Sequence, residues 1–143
     1  MRLTLAVRLA LGWLTLTALY LGGWALFAPR SFYDGFPGLG RSWVSIDGPY
    51  NEHLVRDVGA LNLALAALSL AAAVRLSREL VTVAAVASLL WGVPHLGYHA
   101  VNTDGFSGTD VALNLGGLIA AVVVSLLLLR SASLLERVEQ AVR

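Results

Sequence analysis

The sequence predicts an all-α, four-helix bundle built to sit in a membrane. Three observations carry that expectation. Only 13% of the 143 residues are charged, about half the share of a typical soluble domain. Mean hydropathy is +0.73. Four apolar stretches, near 5–27, 52–76, 80–100 and 110–129, each approach the roughly 20 residues that cross hydrocarbon. A single transmembrane domain over 1–143 is expected.

Arg2 and Arg8 near the start of the first stretch are followed by an apolar run, as in a secretory leader. It is longer than a leader's apolar core, and Trp24, Leu26 and Phe27 stand where small cleavage-site residues belong. A retained helix, stopped by Pro29, is expected. Asn51 with Glu52 reads as the cap of the second long helix, and Thr109 with Asp110 as that of the fourth. Small residues at helical spacing (Ala60, Ala64, Ala67 and Ala71; Ala112, Gly116 and Ala120) read as packing faces, where backbones approach closely. The tail 131–143 sets Leu134, Leu135, Val138, Ala141 and Val142 on one face. It is expected to continue the last helix or to lie on the inner membrane surface.

All ten basic residues are arginine. Arg2, Arg8, Arg75, Arg78, Arg130, Arg137 and Arg143 fall on one side of the expected topology; Arg30, Arg41 and Arg56 fall on the other. The positive-inside rule then puts both termini in the cytoplasm of a cell-membrane protein. The segment Ala28–Asn51 faces outward. It is rich in Gly, Pro and aromatic residues, which suits either a folded cap over the bundle or an interfacial anchor.

The ionisable residues are distributed unevenly. His53, His95 and His99, with Asp34, Asp47, Glu52, Asp57, Asp104 and Asp110, all fall at the outward end. Such groups are costly near hydrocarbon, so their grouping suggests a site. His53 and Asp57, Glu52 and Arg56, His95 and His99, and Asp110 and Asn114 are each spaced i,i+4, so each pair shares a helix face. Asp57, His95 and Asn114 lie about 6–8 Å inward from the helix ends, and Asn62 about 15 Å. The expected ligand-binding set is His53, Arg56, Asp57, His95, His99 and Asn114. His53, His95 and His99 carry the ligand types of zinc, copper or non-haem iron, and histidines on facing helices could hold haem. No HExxH or Glu-x-x-His signature accompanies them, and intramembrane polar groups usually pair, so hydrogen bonding of His95 and His99 across helices to Asp57, Asn114 or loop carbonyls is preferred over a metal site.

Other classes find no support. Without cysteine there are no disulfides or thiolate sites, and a net charge of +1 gives no basis for nucleic-acid binding. No nucleophile elbow or phosphate loop singles out a catalytic residue. The stretches RLALGWLTLTALYLGGWALFAPRSFY, PYNEHLVRDVGALNLAL and PHLGYHAVN resemble those of small actinobacterial four-helix membrane proteins, which are loosely DoxX-like in length and topology. That resemblance implies the same four-helix topology. Some DoxX-like relatives are linked to quinone or thiol redox work, and the lack of Cys speaks against the thiol branch here. The leading expectation is a polar, histidine-bearing site for a small ligand, lipid headgroup or metal ion. The rivals are an accessory subunit of a larger membrane complex, or a homo-oligomer, and a membrane enzyme acting on a lipid or quinone.

Overall fold

A computed structural model describes the backbone of residues 2–142 and the side chains of residues 3–134. Four long helices dominate: α1 (Arg2–Phe27), α3 (Glu52–Arg75), α4 (Arg78–Val101) and α5 (Gly108–Val142). Between α1 and α3 lie a short helix, α2 (Pro29–Gly35), and a two-residue hairpin of β1 (Pro37–Gly38) and β2 (Arg41–Ser42). Leu3–Phe27, Glu52–Arg75, Arg78–Val101 and Gly108–Leu134 are each long and apolar enough to cross a membrane. Among the described residues the regular structure is therefore all-helical apart from that hairpin, with four candidate membrane spans.

Local chemistry explains the boundaries. Pro29 ends α1 and opens α2, where its fixed φ and missing N–H suit the first helical turn. Asn51 caps α3 as expected, its side chain accepting from the Leu54 N–H at 3.1 Å. Leu76 takes a left-handed conformation that closes α3, and Ser77 at once caps α4 by accepting from the Leu80 N–H. The cap of α5 is Ser107, not Thr109. The Ser107 hydroxyl accepts from the Asp110 N–H at 3.2 Å and donates to the Asp110 carboxylate at 2.5 Å. The helical backbone of α5 runs unbroken into the tail, as one of the two expectations had it; the side chains beyond Leu134 lie outside the described residues.

The four helices pack as two pairs. Helix α1 lies along α3 and α4 along α5; α3 meets α4 over a smaller area, and α1 scarcely touches α5. The α1–α3 seam is closest at Gly22 and Gly59. A Cβ on Gly59 would stand 2.5 Å from the Leu26 amide nitrogen, and one on Gly22 would stand 2.9 Å from the Gly59 carbonyl oxygen. The buried face of α3 is consequently Val55, Gly59, Asn62, Ala66, Ser69 and Ala72. This corrects the expected packing stripe. Ala60, Ala64 and Ala67 are exposed, because the glycine contact turns α3 by about one residue from its alanine row; Ala112 and Gly116 on α5 are exposed as well.

Away from the loop, Val7, Leu11, Leu14, Ala72, Val81, Ala84, Ala85, Leu128 and Ala132 form a closed apolar core from all four long helices. At the loop end a smaller cluster joins Ala25, Phe32 and Val55. The glycine seam yields a stability test. Gly59→Ala should cost about 2 kcal/mol, because the methyl group meets backbone that cannot give way without parting the helices. Ala60→Leu should stay within about 0.5 kcal/mol of the parent. Thermal unfolding in one detergent reads both values, and equal effects would contradict the seam.

Candidate interhelical cavity

Between the two helix pairs, and between the closed core and the loop, lies a cavity of about 470 Å³. Its wall is mostly apolar and aromatic, with Leu14, Leu21, Leu65 and Leu118 beside Trp13, Trp91, Phe36 and Trp43. The polar side chains in the wall are Thr17, Tyr20, Asn62, Ser69, Ser88, His95 and Asn114; no Asp, Glu, Lys or Arg is among them.

Each polar group is set by its helix. Asn62 is buried, and its amide donates to the Val58 carbonyl one turn back at 2.9 Å. His95 stacks on Trp91 at a centroid separation of 5.1 Å and lies 4.8 Å from His99. Asn114 stands in the wall between the main cavity and a small cleft lined by His99, Asn102 and Phe106. Its Oδ1 is buried and has no hydrogen-bond partner among the described residues. A buried carbonyl left unpaired costs about 1–3 kcal/mol, so this amide marks a position with hydrogen-bonding capacity to spare.

The loop closes one end. Phe36 and Trp43 reach the cavity from the segment between α1 and α3. They extend an edge-to-face aromatic run in which Trp24 meets Tyr20, Phe32 and Phe36, and Phe36 meets Trp43 at 6.1 Å. The carboxylate of Asp110, in the first turn of α5, holds that roof. It pairs with the Arg41 guanidinium and accepts from the Trp43 indole N–H at 2.8 Å, besides its bond from Ser107. Further ties run from Tyr20 Oη to the Pro37 carbonyl and from Tyr33 Oη to the Gly48 carbonyl.

The structure divides the expected ligand-binding set. His95 and Asn114 line the cavity, and His99 lies beside it in the small cleft. His53, Arg56 and Asp57 do not line it. His53 pairs with Asp57 at 3.2 Å on an open face of α3, with their side chains 88% and 63% exposed. Arg56 pairs with Glu52 at 2.9 Å and also donates to the Leu26 carbonyl, which the end of α1 leaves without a helical partner. Its geometry is that of a helix-end tie. The three histidines are therefore not gathered around one point, and among the described residues no group of three or more His, Asp or Glu is placed to hold a metal ion. The shared depth of Asp57, His95 and Asn114 is readable from the sequence, but the direction in which each faces is not. The additional wall residues Trp13, Trp43, Trp91 and Ser88 carry no motif; Trp43 and Trp91 read in sequence as interfacial aromatics.

No known protein family, curated protein or solved structure matches the chain.

The roof and the α3 pair respond differently to substitution. Asp110→Ala removes the acceptor for both Arg41 and Trp43 and should cost about 2 kcal/mol. It should also shift tryptophan emission to longer wavelength as Trp43 becomes wetter. His53→Ala, on the exposed pair, should change stability by less than about 0.5 kcal/mol. Thermal unfolding with emission spectra checks both, and an unshifted spectrum for Asp110→Ala would remove this carboxylate as the anchor of the roof.

Proposed function

We propose that the protein is a multi-pass membrane protein that binds a small molecule in the cavity between its two helix pairs. The observation that carries this reading is the cavity itself, an apolar chamber of about 470 Å³ with a few neutral polar side chains in its wall. Binding pockets commonly fall in the range of about 300–1,000 Å³ and join an apolar wall to a few orienting polar groups. The membrane setting draws on the four long apolar helices and on the low charge of the chain. Arginine placement puts both termini in the cytoplasm and the segment between α1 and α3 on the outer face, where it covers the cavity.

His95 and Asn114 are the polar contacts in this reading, with Asn62 deeper. The stacked rings of Trp91 and His95 form a flat wall against which an unsaturated or ring-bearing group can lie. An imidazole and an amide both donate and accept hydrogen bonds, which suits a hydroxyl or carbonyl on the occupant. No residue of the cavity is assigned a catalytic role.

Native mass spectrometry of the protein released from nanodiscs tests this directly. The expected result is a retained small molecule at one per chain, lost in Ala121→Trp, whose indole fills the chamber. An empty parent protein that remains folded, and whose stability Ala121→Trp raises, would favour an accessory subunit that merely tolerates a packing gap.

A further inference from the structure

We infer that the occupant of this cavity is a neutral amphiphile dissolved in the bilayer, which reaches it sideways through a mouth between α1 and α5. The inference rests on the binding reading above and adds the ligand's class and its route. Two independent features of the cavity point the same way.

The first is where the wall is open. Of the cavity-lining residues of α3, Asn62 and Ser69 are closed off (4% and 2% exposed) and Leu65 is half-buried, whereas Leu16 and Tyr20 of α1 and Leu113 of α5 are 68%, 54% and 51% exposed. Gly117 of α5 also lines the cavity and is exposed. These are the two helices that scarcely touch. Counting along the helices, Leu16 lies about 16 Å from the loop end of α1 and Gly117 about 14 Å from that of α5. Hydrocarbon is about 30 Å thick, so the mouth opens near mid-depth and is bathed in lipid chains rather than water.

The second is charge. Among the described residues the wall holds no Asp, Glu, Lys or Arg, its only titratable side chains being Tyr20 and His95, and the nearby Arg41 and Asp110 neutralise one another outside it. An ionised ligand would lose its hydration with nothing to replace it. A hydroxyl or neutral carbonyl needs only what the wall offers at its loop end, the His95 ring and the Asn114 amide. From that level the wall continues inward as Leu65, Leu118 and Ala121 to the hydroxyls of Ser69 and Ser88. His95 and Ser88 are seven residues apart on α4, about 10 Å, a length that suits the apolar part of a single-chain or compact ring-bearing amphiphile.

Gly117 makes the mouth testable. A Cβ there would meet nothing within 4 Å, and the same holds for Gly116, which does not line the cavity. Gly117→Phe should therefore fold as the parent does and obstruct the mouth, with Gly116→Phe as the matched control. The probe is decanol brominated at its tail end, titrated into the protein in lipid nanodiscs. Bromine quenches indole fluorescence, and three of the four tryptophans, Trp13, Trp43 and Trp91, line the cavity.

The expected result is saturable quenching that weakens about tenfold or more in Gly117→Phe and is unchanged in Gly116→Phe. The ionised carboxylate of the same chain length should bind the parent about tenfold more weakly than the alcohol, a comparison that needs no variant to fold. Equal quenching by alcohol and carboxylate would overturn the neutral class, and unchanged quenching in Gly117→Phe would overturn the route. A retained water-soluble molecule in the mass spectrum, with no saturable quenching by bromodecanol, would overturn this inference while leaving the binding reading intact. Absence of any retained molecule together with absence of saturable quenching would overturn both.

Discussion

The backbone contact between Gly22 and Gly59 fixes the rest of the bundle. With no side chain at either position, α1 and α3 approach until the Leu26 amide lies where a Cβ of Gly59 would otherwise stand. That approach orients α3 so that Asn62, Ser69 and Ala72 face inward and Ala60, Ala64 and Ala67 face out. Helices α1 and α5, by contrast, scarcely touch. Two tight pairs joined mainly through α3 and α4 cannot close the space between them along its whole length, and the cavity is that space. At the end remote from the loop, Val7, Leu11, Val81 and Leu128 fill it. Towards the loop Gly92 and Gly117 are too small to do so, and Trp13, Trp43 and Trp91 stand around the gap as walls.

Polar groups sort along the same division. The charged ones find partners on their own helix or the loop: Arg30 with Asp34, Glu52 with Arg56, Arg41 with Asp110. Each pairing leaves the ions at least partly hydrated, which avoids the penalty of burying charge. Arg30 also lies over the rings of Tyr33 and Tyr50, and its guanidinium is held even more firmly protonated by the Asp34 carboxylate. Neutral side chains carry a smaller desolvation cost, so only they reach the cavity. The resulting chamber contains hydrogen-bonding atoms without a local field strong enough to hold an ion.

Much of the fold was legible in the sequence because hydropathy and helix-capping are local. The long helices begin and end within a few residues of the expected positions, apart from the tail of α5; Asn51 caps α3, and Pro29 separates α1 from the loop segment. Helix α2 carries no separate signal in the sequence: Pro29 reads as a stop, and the same ring also starts a new turn. The candidate site was legible in depth but not in azimuth. Asp57 stands at nearly the same level as His95 and Asn114, with His53 one turn nearer the helix end on the same face of α3, and 1.5 Å per residue gives those levels from numbering alone. The facing direction depends on which row of α3 meets α1, and Gly59 and the Ala60 row lie one residue, about 100°, apart. A choice between an alanine row and a glycine contact decides whether His53 joins the cavity histidine or faces away from it.

A gap of this size is a different object in lipid than in water. A soluble bundle with an apolar void loses dispersion contacts on every side of it, and nothing in water restores them. A bundle whose void opens sideways into hydrocarbon recovers those contacts whenever a chain slides in, so the packing cost of leaving α1 and α5 apart is small in a bilayer. The unpaired Oδ1 of Asn114 is not relieved that way, since an acyl chain offers no donor. A plain lipid chain therefore satisfies the apolar wall and leaves the amide unpaired, whereas a molecule with one neutral donor at its end satisfies both once the side chain turns towards it. On the binding reading proposed above, that difference would give the cavity a preference among the apolar molecules around it, residing in the few polar atoms of the wall rather than in its volume.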